Sequence, residues 1–386
     1  MKKVLLYNKI AKEGLAVLDE TRYEVGTEIK DPDAIMVRSA KLHDVEFSPS
    51  LRAIVRSGAG VNNIPVDRCT KEGIVVFNTA GANANGVKEL AICALILAAR
   101  DVVGGVSWVK SLAGEADVEK AVEAGKSAFV GSELAGKTLG VIGLGAIGGM
   151  VANAATALGM VVIGYDPYIT ARAAWSLAPS VKQAGSYDEI FKKSDYITLH
   201  VPSTEQTRGM IDEKAFSKMK DGVKLINLSR ADLVNETALK AAIESKKVAK
   251  YITDFPTKGT VGVDGVVAIP HLGASTYESE IHCAVTAAKQ LDEYLTNGNI
   301  TGSVNFPSVS LPHASLARVC IMHKNVPNML TQITSAFSSA GVNIDNLANG
   351  SKGETAYTIV EVSDKPNAEI VERLTKIDKV LKVHCY

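Results

Sequence analysis

Gly143-Leu144-Gly145-Ala146-Ile147-Gly148 sets three glycines at the spacing a chain needs to turn tightly, to lie close against a pyrophosphate and to pack a helix on a strand. The run follows the apolar stretch Leu139–Ile142 and opens a helical pattern from Ile147 to Leu158. The first N–H groups of that helix would face phosphate oxygens. Asp166 ends the next apolar run, Val161–Tyr165. It stands about 20 residues on, where a carboxylate accepts bonds from a ribose 2′-OH and repels a 2′-phosphate. Strand, glycine turn, helix and acid together predict a dinucleotide site with NAD as its cofactor.

A nicotinamide site reducing a 2-oxo acid requires two further groups from the protein. A fixed cation must hold the carboxylate and polarise the carbonyl, and an acid/base must give or take the hydroxyl proton. The arginine fork matches a carboxylate bidentately, and histidine changes charge near neutral pH. Arg230, in Ile226-Asn227-Leu228-Ser229-Arg230, follows the apolar run Leu225–Leu228. His271, in Ile269-Pro270-His271-Leu272-Gly273-Ala274, follows Val266–Ala268. Read alone, either is an ordinary loop residue. Lying past strand ends, where open parallel sheets bind ligands, they become the candidate catalytic pair.

The elements that must position these groups form a repeating series. Val4–Tyr7, Ala34–Val37, Ala53–Val55 and Val75–Phe77 read as buried strands separated by helical or polar segments. Leu139–Ile142, Val161–Tyr165, Tyr196–His200, Leu225–Leu228, Tyr251–Thr253 and Val266–Ala268 form a second set. Such alternation predicts an α/β fold of two doubly wound parallel sheets. Helices are expected over Val87–Arg100 and over Tyr277–Thr296, the latter stopped by Asn297-Gly298. Asn305 to Pro312 carries two prolines and reads as an extended linker. Beyond it Ala317–Met322, Pro327–Ala340, Ala356–Val362, Ala368–Ile377 and Leu381–Cys385 read as β–α–β–α–β, a small α+β appendage.

Composition excludes other classes. The 42 basic and 42 acidic residues cancel, so nothing predicts the positive field that nucleic acid or an anionic membrane would require. The apolar run Leu90–Ala99 is well short of the roughly 20 residues of a membrane span. Five scattered cysteines without a C-x-x-C pair read as free thiols in a reducing compartment, and the protein is expected in the cytoplasm. The seven histidines show no metal-ligand spacing, and no metal is expected.

The glycine fingerprint, His200-Val201-Pro202, the Asn-x-Ser-Arg run and Pro270-His271-Leu272-Gly273-Ala274-Ser275-Thr276 resemble the D-isomer-specific 2-hydroxyacid dehydrogenases, and the likeness covers nearly the whole chain. The tail is similar to an ACT domain, a βαββαβ amino-acid sensor, which implies one more strand, within 343–350. The resemblance implies a substrate domain from residues 1–92 with a return segment 277–304, an NAD domain 93–276, a linker 305–315 and an ACT-like domain 316–386. It implies an active site in the cleft between the first two, with closure excluding water, and a homodimer or homotetramer.

The resemblance also implies roles. Arg230 would hold the substrate and His271 would move the proton. Ser57, Gly58, Ala59, Gly60 and Val61 would offer N–H groups to the carboxylate, with Asn83 beside the substrate. His200, Val201, Pro202 and Thr207 would line the cofactor, and Asp254, Gly273 and Ala274 would meet its nicotinamide side. Arg38 matches a phosphate-binding arginine, with Lys41 beside it and Lys126 reaching a neighbouring subunit. The implied substrate is 3-phosphoglycerate, oxidised to 3-phosphohydroxypyruvate in the first committed step of serine synthesis. His323, Asn325 and Asn343 match a site for L-serine.

Two positions depart from the family pattern. The glutamate that normally bonds the catalytic histidine is replaced by Lys258. Another acid (Asp264 is nearest in sequence) substitutes, or the loop shifts by a residue, or the histidine works unassisted. In the serine motif Asn328 replaces a glycine; asparagine tolerates positive φ, but its side chain would crowd a ligand. Two other functions stay open. One is a sibling enzyme acting on an unphosphorylated acid such as glyoxylate or hydroxypyruvate. The other is an NAD-sensing binding protein on the same frame.

Overall fold

Stretches such as Ala34-Ile35-Met36-Val37 and Tyr196-Ile197-Thr198-Leu199 lack polar alternation, and both faces of each are buried in the computed structural model. That is the pattern of parallel strands covered on two sides. Residues 1–363 and 368–386 are described. Among them the chain divides into two units, 1–83 with 277–386, and 84–276.

The first unit holds a parallel sheet of β1 (Lys2–Tyr7), β2 (Tyr23–Gly26), β3 (Ala34–Val37), β4 (Ala53–Arg56) and β5 (Val75–Asn78), in the order β2-β1-β3-β4-β5. The helix Tyr277–Asn297 covers one face through Ala284, Ala287, Ala288, Leu291 and Tyr294, packed with Val4, Met36, Val55 and Phe77. Ile35, Val37, Ile54 and Val76 on the other face pack with Leu42, Leu51 and Ile64.

The second unit carries β6 (Thr138–Ile142), β7 (Val161–Tyr165), β8 (Lys182–Gln183), β9 (Tyr196–Leu199), β10 (Val223–Asn227), β11 (Val248–Thr253) and β12 (Val266–Ala268). They run parallel in the order β12-β11-β10-β9-β6-β7-β8. The winding reverses between β6 and β9, which makes the carboxyl ends of these two strands the topological switch point.

The tail belongs to the first unit. Its antiparallel sheet comprises β13 (Ala317–Lys324), β14 (Ile344–Lys352), β15 (Thr355–Val362) and β16 (Val380–Cys385), ordered β14-β15-β13-β16. Val319, Ile321 and Val360 face the helices Met329–Ser339 and Ala368–Thr375 through Ile333, Phe337, Ile370 and Leu374. On the opposite face Cys320, Met322, Tyr357 and Ile359 join the core that holds Phe77 and Tyr294. The strands β13 and β15 are thus buried on both faces, one of them against the first unit's parallel sheet and long helix.

The segment between them, read as an extended linker, is packed in place. Phe306 is fully buried, and the Asn305 carboxamide accepts the Val76 N–H and donates to the Ile74 carbonyl. The Arg318 and Glu361 side chains are fully buried as an ion pair of 2.6 Å. Arg318 also donates to the carbonyls of Asn297 and Leu311, so a single cation ties the tail, the linker and the end of the long helix together.

Candidate active site

Gly143 closes β6 at φ 89°, and a Cβ there would lie 2.5 Å from the His200 carbonyl. A Cβ on Gly148 would lie 1.9 Å from the Gly143 carbonyl, so the helix Ala146–Ala157 can start only where that side chain is missing. Gly145 has another reason to be glycine: open space lies where its Cβ would be, and Gly145 and Ala146 are exposed. That open position sits at a helix N-terminus with no side-chain cap, a cradle for an anion. One Asp166 oxygen accepts the Leu144 N–H at 2.9 Å, which fixes the carboxylate against the glycine turn. The other accepts the Tyr168 N–H, also at 2.9 Å. The remaining lone pairs are free to take ribose hydroxyls, and the residues present therefore fit a dinucleotide.

His200 leaves β9 at the other side of the switch point. Its Nε2 lies 2.9 Å from the Thr198 hydroxyl, while Nδ1 is buried without a partner among the described residues. Burial pulls its pKa down to about 4, so the ring is neutral at ordinary pH. Thr207 closes the following loop by donating to the Pro202 carbonyl at 2.6 Å and accepting the Thr204 N–H at 2.8 Å; Val201 is half-buried in the same loop.

Arg230, Asp254 and His271 lie just past the carboxyl ends of β10, β11 and β12, three neighbouring strands. The Asn227 side chain, fully buried at the end of β10, explains the Asn-x-Ser-Arg spacing. Its Oδ1 accepts the Ser229 N–H at 3.1 Å and its Nδ2 donates to the Arg230 carbonyl at 2.8 Å, so one carboxamide shapes the turn that presents the guanidinium. Arg230 is exposed and donates to the Ser229 carbonyl.

From the middle strand, the Phe255 ring lies 4.5 Å from the His271 ring, and the Arg230 guanidinium lies 5.7 Å from its centroid. The fully buried Asp254 accepts the Gly273 N–H at 3.1 Å through Oδ2, while Oδ1 has no donor among the described residues. Burial raises the Asp254 pKa, against the lowering pull of Gly273, His271 and Arg230. Ala274 is half-buried beside it in sequence.

The acid that the structure sets beside the His271 loop is thus Asp254 rather than Asp264, which lines a shallow hollow with Lys240, Ile243 and Val248. Lys258 is exposed, in a turn held by Thr257 donating to Glu236 at 2.6 Å.

In the first unit, Gly58 at φ 150° gives its N–H to the Thr79 hydroxyl at 2.8 Å and to the Arg56 carbonyl at 2.9 Å. Ser57 donates its N–H to the Val37 carbonyl. Asn78 donates to the Ala59 carbonyl, and Arg56 to the carbonyls of Gly60 and Arg38. These bonds fix the loop that continues through Val61. Asn8 accepts the N–H groups of Ser39 and Ala40, which fixes the turn carrying Arg38 and Lys41. Asn83, half-buried, ends this part of the unit. Lys126, in the second unit, is exposed and paired with Glu123.

Two residues of this surface were not read from the sequence. Arg56 ends β4 like an ordinary strand-terminal charge, and Glu280 ion-pairs with Arg38 from 242 positions away.

In the tail, His323 is almost fully buried, with Nδ1 2.8 Å from the Lys324 carbonyl and Nε2 2.9 Å from the Thr358 hydroxyl. Burial lowers its pKa. Asn325 donates to the Gly353 carbonyl, and Asn343 donates to Asp345 at 3.4 Å. Asn328 takes φ 68°, so the position demands the left-handed conformation and asparagine supplies it.

A parallel sheet with a dinucleotide turn at its switch point, and an arginine and a histidine at the ends of strands that flank β11, define an NAD-dependent dehydrogenase of hydroxy acids. The chain belongs to the D-isomer-specific 2-hydroxyacid dehydrogenase family. Residues 94–273 match the family model described as D-isomer specific 2-hydroxyacid dehydrogenase, NAD binding domain, and residues 319–382 match an AHAS small subunit-like ACT domain.

D-3-phosphoglycerate dehydrogenase 1 of Saccharomyces cerevisiae is 30% identical over 95% of this chain and 83% of its own length. D-3-phosphoglycerate dehydrogenase of Methanocaldococcus jannaschii is 35% identical over 80% of this chain, which spans 60% of that relative. The NAD+-bound 3-phosphoglycerate dehydrogenase of Entamoeba histolytica superposes with a TM-score of 0.62 at 28% identity, covering 79% of this chain and 98% of that one. A glyoxylate reductase from Paecilomyes thermophila superposes at 0.63 with 27% identity, over 78% of this chain and 98% of its own. Among the described residues no single helix is long and apolar enough to cross a membrane.

Proposed function

We propose that the chain oxidises 3-phospho-D-glycerate to 3-phosphohydroxypyruvate, and the reverse, as the first committed step of L-serine synthesis. The observation that carries this reading is the row of strand ends bearing Arg230, Asp254-Phe255 and His271, with Phe255 in contact distance of both catalytic candidates. Bound NAD supplies the acceptor for the hydride that leaves C2. His271 takes the proton of the C2 hydroxyl, and in the reverse direction returns it to the carbonyl oxygen. Arg230 holds the carboxylate through its fork and stabilises the charge that develops on that oxygen. Asp254, whose Oδ1 has no donor among the described residues, would hold the nicotinamide side of the cofactor and, beside both catalytic groups, supplies the negative charge that Lys258 does not. In the fixed loop from Ser57 to Val61, the N–H groups of Ala59, Gly60 and Val61 serve the substrate carboxylate, while those of Ser57 and Gly58 are spent on holding the loop. Arg38 and Lys41 serve the phosphate, and Lys126 serves the phosphate in a neighbouring subunit.

The same reading places the enzyme in the cytoplasm as a homodimer or homotetramer. Val102, Val103, Val106 and Val109 are exposed on the helix Val102–Ser111, which supports association through that helix. L-Serine is the proposed effector, met by Asn325 and Asn343, while His323 serves the strand pairing. Inhibition of turnover by added L-serine tests that part.

The deciding experiment is NADH oxidation with 3-phosphohydroxypyruvate, hydroxypyruvate and 2-oxoglutarate. A kcat/KM roughly 100-fold higher for the phosphorylated acid, about 2.7 kcal/mol of transition-state discrimination, is expected. Equal rates with the unphosphorylated acids would reassign the substrate.

A further inference from the structure

We propose that Glu280 is a specificity-determining residue, the resident counter-ion of Arg38 that an incoming phosphate has to displace. The inference rests on the reading of Arg38 as the phosphate ligand. Arg38 Nη2 meets Glu280 Oε1 in an ion pair, and both side chains remain open to solvent, at 45% and 41% exposure. Neither group is there by accident of a loose loop. The turn behind Arg38 is fixed by Asn8 from one side and by Arg56 on its carbonyl from the other. Glu280 lies in the first turn of the helix Tyr277–Asn297, where the unpaired N–H groups favour a carboxylate. Arg56 spends its guanidinium on backbone carbonyls, so Arg38, with exposed Lys41 on the same turn, is the outward cation that is already matched by an anion.

This arrangement discriminates by number of handles. A lone anion gains one contact at Arg38 and loses the ion pair that was there. A phosphorylated 2-oxo acid arrives with its carboxylate already held, so its phosphate meets Arg38 at high effective concentration and displaces Glu280. The released carboxylate stays near and repels the phosphate, which limits the affinity even of the true substrate. Glutamine at this position would keep an acceptor for Arg38 and remove the charge.

The test compares the full-length enzyme with Glu280→Gln, Arg38→Gln and the double variant, using 3-phosphohydroxypyruvate, hydroxypyruvate and inorganic phosphate as inhibitor. In Glu280→Gln the ratio of kcat/KM for the phosphorylated acid to that for hydroxypyruvate should rise about threefold or more. Inhibition by inorganic phosphate should strengthen by at least as much. In the Arg38→Gln background, adding Glu280→Gln should raise the ratio by clearly less than it does in the wild-type background, because only the repulsion and no longer the displaced ion pair is relieved, a coupling that a merely structural role would not produce. A ratio unchanged or lowered by Glu280→Gln, while Arg38→Gln collapses it, overturns the counter-ion role and leaves the phosphate reading intact. A ratio that survives Arg38→Gln overturns the phosphate reading, and the counter-ion role with it.

Discussion

Arg230 shows how much of a reactive side chain is set by its neighbours. Asn227 holds its turn and Phe255 lies under its guanidinium, so a cation of different shape loses the fork but keeps the charge. Arg230→Lys should therefore lower kcat/KM by about 10²–10³-fold, the range for removing one oxyanion donor, with thermal stability little changed. A fall in melting temperature matching the loss of rate would assign the residue to folding instead.

His200 acts at this scale through its protonation. Its folded pKa of about 4 is below the ordinary value of about 6.5, so the unfolded chain binds the proton first as pH falls. Stability is then unaffected above about 6.5 and is lost between there and 4, by roughly 3 kcal/mol in all. His200→Gln should flatten that part of a melting-temperature profile.

Strands and turns position these groups through bonds a single substitution can remove. In the tail, burial alone would raise the Glu361 pKa, but Arg318 and the Ala314 N–H hold it below the usual carboxylate range. With a folded pKa depressed, the stabilisation is present above the unfolded value of about 4.3 and lost as pH falls through the folded one. Removing one partner leaves a charge buried alone, so Arg318→Leu should destabilise the first unit by about 3–5 kcal/mol, read by chemical denaturation. A loss near zero would mean that water reaches Glu361. Tyr357→Phe deletes the hydroxyl that bonds the Gly298 carbonyl at 2.6 Å and meets the Cys320 thiol, and should cost about 1 kcal/mol.

At the scale of the whole molecule, the tail is part of the first unit's core rather than an appendage. Phe77 and Tyr294 share their surroundings with Tyr357 and Ile359, and Lys352 and Thr355 bond the carbonyls of Ser303 and Asn305. Ending the chain after Gly302 would uncover that apolar face and leave the Val76 N–H and the Ile74 carbonyl without Asn305. The shortened protein is expected to aggregate, while a fragment spanning 84–276, whose own core stays intact, is expected to keep binding NADH. A well-folded shortened chain in a far-UV and thermal comparison would contradict the shared core.

The sequence alone determined what local patterns encode. Ala34–Val37 and Val161–Tyr165 match the observed strands because buried parallel strands must be apolar throughout, and Val266–Ala268 matches although it is a half-buried edge strand. The glycine turn, Asp166 and the strand-end positions of Arg230 and His271 follow from the same local rules. Where a strand buries little, the signal fades. Tyr23–Gly26, Lys182–Gln183 and the largely exposed Ile344–Lys352 are edge strands whose side chains have little to pack against, and the last was placed only by family resemblance.

Tertiary structure decided the rest, because it concerns groups far apart in the chain. The apolar second face of β13 says that something covers it but not what. That Asp254 rather than Asp264 meets the His271 loop depends on how β11 and β12 align. The pairing of Arg38 with Glu280 joins two charges that, read along the chain, are each ordinary surface residues; only the packing of a helix N-terminus beside a strand end brings them into contact.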